Sequence, residues 1–150
     1  MPQSLSSLLV HLVFSTKDRR PFIDDSVRGD MHACLAATAR GLKCQCFRVG
    51  GTADHIHMAI RLHQTLSLSE FVEKARSSSS RWVKTKSPAL EAFFWQRGYG
   101  AFSLATPNLD GLIQYVDRQK KHHESRSFQD EFRALLVEHG MEFDERYVWD

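Results

Sequence analysis

The order of strand-like and helix-like segments is the feature that most restricts how this chain can fold. The first of these segments is an apolar, β-rich run from Leu8 to Thr16, in which both alternating positions carry apolar residues. Such a run is typical of a buried central strand. A helical pattern follows, with Asp24 or Asp25 as its N-cap, and ends at Gly41. The chain therefore begins with a strand and a helix.

The rest of the sequence adds a hairpin, a strand and three helices. Strand-like runs at 44–49 and 55–62 flank a glycine-rich turn and predict a β-hairpin. Ser67 and Glu70 are spaced as the N-cap and N3 residues of a capping box, so a second helix is expected there. A short strand around 101–104, a third helix with Thr106 as its N-cap running to about His122, and a shorter amphipathic helix around 128–136 complete the series.

The order β-α-β-β-α-β-α is that of a ferredoxin-like split βαβ arrangement. We therefore predict an α+β fold, with one antiparallel sheet, helices on one face of it and extra C-terminal helices. The opposite face of the sheet is expected to be open to a partner chain or a ligand. The chain has 150 residues, 42% of them hydrophobic, and no internal repeat or linker, so we expect a single domain over residues 1–150.

Composition excludes several classes of protein. The longest apolar run, Leu8 to Phe14, is interrupted by His11 and is too short to span a membrane. The same run lacks a preceding basic residue, which argues against a secretory signal, and we expect a cytoplasmic protein. The chain has three cysteines, an odd number, which argues against a disulfide framework. A net charge of +2 means that any basic surface must be local.

Two histidines offer a metal site. His55 and His57 are two residues apart in a predicted strand, so their side chains project from the same face and can reach one ion. A core role for both is the alternative at this stage. Cys44 and Cys46 alternate on the neighbouring predicted strand, which leaves a structural Cys/His zinc site as a second alternative.

Tyr115 lies off the apolar side of the third predicted helix. Leu112 and Val116 belong to its apolar stripe, whereas Tyr115 and Gln119 share a second stripe one turn apart. A phenol has a pKa near 10 and needs a metal ion beside it to attack a phosphodiester at neutral pH. With His55, His57 and the Gln119 amide oxygen as ligands, such a site suits Mg²⁺ or Mn²⁺, with Zn²⁺ as an alternative.

Several motifs occur together in one order along the chain. They are Ser15-Thr16-Lys17, Asp54-His55-Ile56-His57, the segment from Trp95 to Ser103, and Tyr115-Val116-Asp117-Arg118-Gln119 running into His122-His123. In this order they make the sequence similar to the single-tyrosine HUH transposases of insertion sequences, a family that includes the transposases associated with repetitive extragenic palindromes. The resemblance implies that His55 and His57 are the HUH metal ligands, Gln119 the third ligand and Tyr115 the nucleophile. It assigns no catalytic role after His123.

The resemblance also implies an activity and an assembly. Such enzymes bind single-stranded DNA hairpins and cleave the strand by tyrosine attack, which leaves a 5′-phosphotyrosine and a free 3′-hydroxyl. Another strand's hydroxyl can reverse the step, so the outcome is strand transfer. We expect a homodimer, in which Tyr115 of one chain can work with His55 and His57 of the other.

Basic and aromatic side chains are candidates for DNA contact, although solvated surface positions are their ordinary role. The candidates are Lys17, Arg19, Arg20, Lys74, Arg81 and Tyr99. Two other functions stay open at this stage. One is a domesticated relative that cuts chromosomal palindromes, and the other is a catalytically inert nucleic-acid-binding module on the same sheet.

Overall fold

The computed structural model describes residues 2–150, which form a four-stranded antiparallel sheet packed between helices. The strands lie in the spatial order β2-β3-β1-β4, with bounds β1 (Leu8–Ser15), β2 (Gln45–Thr52), β3 (His55–Leu62) and β4 (Gly100–Ser103). The helices are α1 (Asp25–Gly41), α2 (Leu68–Lys84), α3 (Leu109–Asp117), α4 (Gln119–His122) and α5 (Phe128–Glu138). The predicted α+β class and antiparallel sheet are confirmed.

Local sequence signals set the beginnings of the first two helices. Asp24 is the N-cap of α1, where its carboxylate accepts a hydrogen bond from the backbone N–H of Ser26 at 2.9 Å. Ser67 is the N-cap of α2, and its hydroxyl accepts from the backbone N–H of Glu70 at 3.2 Å. Both caps satisfy donors that a helix N-terminus leaves free, as the sequence predicts.

One face of the sheet packs against α1 and α2. Leu12 and Phe14 of β1 and Ile56 and Met58 of β3 are almost completely buried in this layer. The residues that alternate with them, including His55 and His57, point to the opposite face. The strand pattern therefore separates an apolar core from a face that carries polar chemistry.

The opposite face is covered by the C-terminal helices, so the expectation of an open face is wrong. Val13 and Phe102 of the sheet form an apolar cluster with three residues of α5, Phe128, Phe132 and Leu136. Helix α3 lies against β2 and β3. The physical reason is that these C-terminal helices are amphipathic and bury their apolar sides on the sheet.

The third predicted helix begins later and is divided. Residues Thr106–Asn108 form a 3₁₀ turn with Ala105 as its N-cap, and Asn108 is the N-cap of α3, so the predicted N-cap Thr106 lies inside the turn. Helix α3 ends at Asp117, and the backbone of the next residue, Arg118 (φ −96°, ψ 12°), departs from helical values before α4. Gln119 nevertheless stays one turn beyond Tyr115, with its Nε2 3.5 Å from the Tyr115 carbonyl oxygen.

Gly50 lets α3 approach the sheet closely. A Cβ at this position would lie 2.5 Å from the Val116 carbonyl oxygen and 2.6 Å from Val116 Cγ1. Gly50 and Gly51 both belong to β2, where Gly51 has φ +146°, and the hairpin turn is formed by Ala53 and Asp54. The predicted hairpin is confirmed, with a longer first strand than expected.

Across residues 2–150, no helix combines the length and the apolar character that a membrane crossing requires.

Candidate active site

The face of the sheet beneath the C-terminal helices carries both histidines that the sequence predicts as metal ligands. His55 and His57 lie on β3 and are completely buried. Gln119 reaches down from α4, placing its Oε1 2.9 Å from His55 Nε2. Tyr115 of α3 stacks edge-on near His57, with 5.6 Å between the ring centroids. The structure thus brings together in one chain all four residues predicted for chemistry.

The Nδ1 atom of each of these two histidines has its own hydrogen-bond partner. His55 Nδ1 donates to the Asp54 carboxylate at 2.7 Å, because a carboxylate only accepts. His57 Nδ1 lies 2.7 Å from His11 Nε2 on the neighbouring strand β1. These contacts fix the ring orientations and direct Nε2 of both His55 and His57 toward the same point. Partners of this kind commonly orient metal-binding histidines.

Glu131 of α5 is the centre of the site. Its Oε1 lies 2.9 Å from His57 Nε2, 3.0 Å from His123 Nε2 and 3.6 Å from His55 Nε2. Its Oε2 accepts hydrogen bonds from the Tyr115 hydroxyl and, at 3.0 Å, from Gln119 Nε2. The Glu131 residue is only 1% exposed. One carboxylate therefore joins the histidines, the amide and the tyrosine.

The protonation states follow from burial and from this carboxylate. Burial lowers the pKa of His57 to about 4, against the opposing effect of Glu131, so the ring is neutral at pH 7. Burial opposes ionisation of Glu131, yet hydrogen bonds from His123 and His57 lower its pKa well below the usual range. Burial and the Glu131 charge raise the pKa of Tyr115, so its phenol keeps its proton.

Two groups of side chains in residues 2–150 can hold a metal ion. His55, His57 and Glu131 are all buried, and their ligand atoms lie within 4.8 Å of one another. His122, His123 and Glu131 form the second group. Two imidazole nitrogens with a carboxylate oxygen, and the Gln119 oxygen beside them, make a donor set that suits a divalent cation.

A cleft of about 710 Å³ opens beside the tyrosine. Its lining includes Tyr115 and two exposed basic residues, Arg118 and Lys121. The half-buried Tyr115 thus faces both the buried cluster and a basic solvent-accessible surface. A phosphate group in this cleft would be within reach of positive charge.

The predicted DNA-contact residues lie in two places. Lys17, Arg19 and Arg20 follow β1 at the end of the sheet where His55 begins β3, because Ser15 pairs with His55. Tyr99, just before β4, is at the same end, and Arg76 packs over its ring. Lys74 and Arg81 are exposed on α2, which lies across the sheet from Tyr115.

Sequence reasoning missed three members of the cluster, namely His11, His123 and Glu131. The signal for Glu131 was its place on the apolar stripe of α5, three residues after Phe128 and four before Leu135. A carboxylate on a buried stripe needs partners. His11 likewise interrupts a buried apolar strand on the face that carries His57.

The structural Cys/His zinc site is excluded for the residues that the structure describes. Cys44 is buried in the α1 and α2 core and Cys46 packs against it, on the face opposite His55 and His57. The Cys44 sulfur lies near the Leu42 carbonyl and the His63 backbone N–H. Both cysteines act as small core residues, because the strand alternation turns their side chains away from the imidazoles.

Two solved structures share this fold. A protein from Deinococcus radiodurans R1, described as a candidate transposase, superposes with a TM-score of 0.62 at 19% identity, covering 79% of this chain and 98% of the other. A REP-associated tyrosine transposase bound to a REP hairpin gives a TM-score of 0.61 at 10% identity, covering 82% and 72%. No curated protein sequence matches the chain.

The sequence itself matches a family model. Residues 4–119 match the model described as "Transposase IS200 like". The matched region contains His55, His57, Tyr115 and Gln119, and it ends before Glu131. This chain therefore belongs to the IS200-like transposase family.

Proposed function

We propose that this protein is a single-tyrosine HUH transposase that binds single-stranded DNA hairpins and cleaves and rejoins the strand through Tyr115. The observation that carries the proposal is the position of the Tyr115 hydroxyl, between a buried His-His-Gln-Glu cluster and a cleft with basic walls. Family membership supports DNA transposition as the overall activity. The REP hairpin in the second solved structure supports a folded DNA partner.

In the proposed reaction, Tyr115 Oη attacks the phosphorus of one phosphodiester. The new Oη–P bond joins the protein to the 5′ phosphate of the downstream strand, and the bond from phosphorus to the 3′ oxygen of the upstream strand breaks. The phenol loses its proton toward Glu131 Oε2, the acceptor that it already contacts, and the departing 3′ oxygen gains a proton from water. Attack by another 3′-hydroxyl on the phosphotyrosine reverses these bond changes and transfers the strand.

His55, His57 and Gln119 are the residues proposed to hold a divalent ion, Mg²⁺ or Mn²⁺. The residues fit such an ion, because two imidazole nitrogens and an amide oxygen converge beside a buried carboxylate. When bound, the ion would polarise the scissile phosphate and stabilise the charge that develops on it. Asp54 and His11 hold the two imidazole rings in place.

Several further roles belong to this proposal. Arg118 and Lys121 would contact the phosphates next to the cleavage point, since both line the cleft beside Tyr115. Lys17, Arg19, Arg20 and Tyr99 would contact the hairpin at the end of the sheet, with Lys74 and Arg81 on a more distant surface. We also propose that residues 1–150 act as one domain, as a homodimer, in the cytoplasm.

The decisive experiment is capture of the covalent intermediate. The protein is incubated with labelled single-stranded hairpin DNA and Mn²⁺, then run on a denaturing gel. We expect an adduct with the wild-type chain, none with Tyr115→Phe, and an undiminished adduct with Tyr147→Phe, whose ring is exposed in the C-terminal tail. The Tyr115→Phe protein should remain folded, because the change removes one hydroxyl and little packing.

The outcomes separate the candidate functions. If the protein binds the hairpin but forms no adduct with any added divalent metal ion, the transposase chemistry is overturned and an inert binding module is favoured. An adduct mapped to Tyr99 would overturn the role of Tyr115. A domesticated enzyme would form the same adduct, and is recognised by the absence of element ends with subterminal hairpins in the flanking DNA.

A further inference from the structure

We propose that Glu131 is a direct ligand of the divalent cation, so that α5, which lies outside the residues matched by the family model, completes the metal site. This inference rests on the proposed function, because it concerns the same cation. It adds a carboxylate to the ligands His55, His57 and Gln119, and it gives the C-terminal segment a chemical role in addition to packing.

Geometry is the first argument for Glu131. Its Oε1 is 2.9 Å from His57 Nε2 and 3.6 Å from His55 Nε2. These two nitrogens and a carboxylate oxygen lie within 4.8 Å of one another, close enough to surround one ion after small side-chain movements. Gln119 contributes its Oε1, which lies 2.9 Å from His55 Nε2. The four donors come from three different elements and meet at one buried point.

The count of hydrogen-bond donors is the second argument. His55 faces an acceptor at each ring nitrogen, Asp54 Oδ1 at Nδ1 and Gln119 Oε1 at Nε2. The Gln119 amide is held in this orientation because its Nε2 donates to Glu131 Oε2 at 3.0 Å. A neutral imidazole has one N–H for these two acceptors. A cation between His55 Nε2 and the surrounding oxygens satisfies all of them.

Charge is the third argument. Among residues 2–150, every ion-pair partner of Glu131 is a histidine, and none is a lysine or arginine. A buried carboxylate is costly unless a positive charge compensates it. A divalent cation at the point where Oε1 faces His55 and His57 provides that charge directly.

The ligand set also accounts for both oxygens of Glu131. Oε1 faces the histidines and Oε2 accepts from Tyr115 and Gln119, so one side chain spans the metal position and the nucleophile. With Glu131 included, the site has two nitrogen and two oxygen donors and one formal negative charge. A carboxylate donor of this kind favours Mg²⁺ and Mn²⁺.

Metal affinity without DNA tests this role. Mn²⁺ binding to the full chain is measured by electron paramagnetic resonance of the free ion, and the Co²⁺ complex by visible absorption. The variants are Glu131→Gln, which keeps the shape and removes the charge, and Glu138→Gln, which removes a charge from an exposed position on the same helix. His57→Ala serves as the reference for loss of a ligand.

We expect Glu131→Gln to weaken Mn²⁺ binding at least about tenfold and to shift the Co²⁺ absorption bands, with Glu138→Gln unchanged. If Glu131→Gln proves unfolded by circular dichroism, Glu131→Asp carries the test, since it keeps the charge and withdraws the carboxylate by one methylene group. It should also weaken Mn²⁺ binding and shift the Co²⁺ bands.

A folded Glu131→Gln protein with wild-type affinity and an unchanged Co²⁺ spectrum would overturn the proposal and leave Glu131 as a counter-ion of His123 and a hydrogen-bond acceptor of Tyr115. If Glu131→Asp is the variant tested, a wild-type Mn²⁺ affinity and Co²⁺ spectrum would likewise overturn the proposal. If His57→Ala abolishes binding in the same series, the metal site of the proposed function survives this failure. If the wild-type chain binds neither ion, both the ligand role and the metal part of the proposed function are wrong.

Discussion

At the scale of single residues, burial of histidine dominates the chemistry of this protein. His11 is 6% exposed and His57 is completely buried, and the neutral rings of both belong to the cluster around Glu131. His123 differs, because burial lowers its pKa less than the hydrogen bond to Glu131, the Glu131 charge and the Arg126 carbonyl together raise it, so that its pKa is raised. The cluster therefore combines neutral rings, which can bind a metal, with one ring that favours its proton.

This burial predicts acid sensitivity. Burial lowers the pKa of His11 to about 3 and that of His32, on α1, to about 4, from 6.5. Below pH 6.5 the unfolded chain binds protons that the folded chain does not, so the stability from these neutral rings is present above pH 6.5 and is lost as pH falls toward 4. Each such group contributes a slope of up to about 1.4 kcal/mol per pH unit.

Urea unfolding in EDTA at pH 7.5 and 5.5 measures the effect. We expect the free energy of unfolding to be about 1 to 3 kcal/mol lower at pH 5.5 than at pH 7.5. The fall is smaller than the summed contributions of the buried histidines, because the pKa of His123 is shifted in the opposite direction. His32→Gln should lessen the fall by up to about 1 kcal/mol. Equal unfolding free energies at both pH values would contradict this account.

At the scale of elements, the contact between α3 and β2 positions the tyrosine. Val116 follows Tyr115 directly and packs against Gly50, where there is no room for a Cβ. The apolar side of α3 thus sets the height of the helix above the sheet, and Tyr115 projects from the adjoining side toward Glu131. A change at Gly50 is expected to act on catalysis without touching a reacting group.

Gly50→Ala should destabilise the protein by about 1 to 3 kcal/mol, because the new methyl group forces α3 away from the sheet. The yield of the covalent DNA adduct should fall as well, since the tyrosine moves with its helix.

Gly29→Ala on α1 is the matched control, because its Cβ meets open space. It should raise stability by about 0.5 to 1 kcal/mol. Thermal unfolding and the adduct gel measure both effects, and an unaffected Gly50→Ala would show that α3 can shift without cost.

At the scale of the whole molecule, one chain brings together all the residues of the proposed site. Tyr115, His57 and Glu131 are connected by hydrogen bonds within the chain, and α5 is anchored to the sheet by its own apolar cluster. The resemblance allows exchange of the tyrosine helix between subunits, whereas these contacts favour a site formed within one chain. The edge strands β2 and β4 remain available for joining two chains.

A mixture of two inactive proteins distinguishes these arrangements. We expect a verified heterodimer of His57→Ala and Tyr115→Phe, obtained by co-expression, to form no covalent adduct, because each chain lacks one part of its own site. Analytical ultracentrifugation should give about twice the 17.2 kDa chain mass for the dimer. Recovery of the adduct would show that Tyr115 serves the partner's histidines and would contradict the arrangement within one chain.

Much of the fold was predictable because its signals are local. The bounds of β3, the caps Asp24 and Ser67, and the outward alternation of His55 and His57 all depend on spacing and residue type within a few positions. The same holds for the placement of Gln119 one turn after Tyr115. These features survive because strand and helix periods determine which side chains share a face.

Other features depended on contacts between distant segments. Glu131 is 74 residues from His57 in sequence, and His11 is 46 residues from it. Their meeting requires the pairing of β1 with β3 and the packing of α5 across the sheet, which also closes the face expected to be open. The sequence alone therefore determined the histidine pair, the tyrosine and the amide, whose spacings are local. Only the tertiary structure decided that a carboxylate from the last helix joins them, because burial of the amphipathic C-terminal helices places it there.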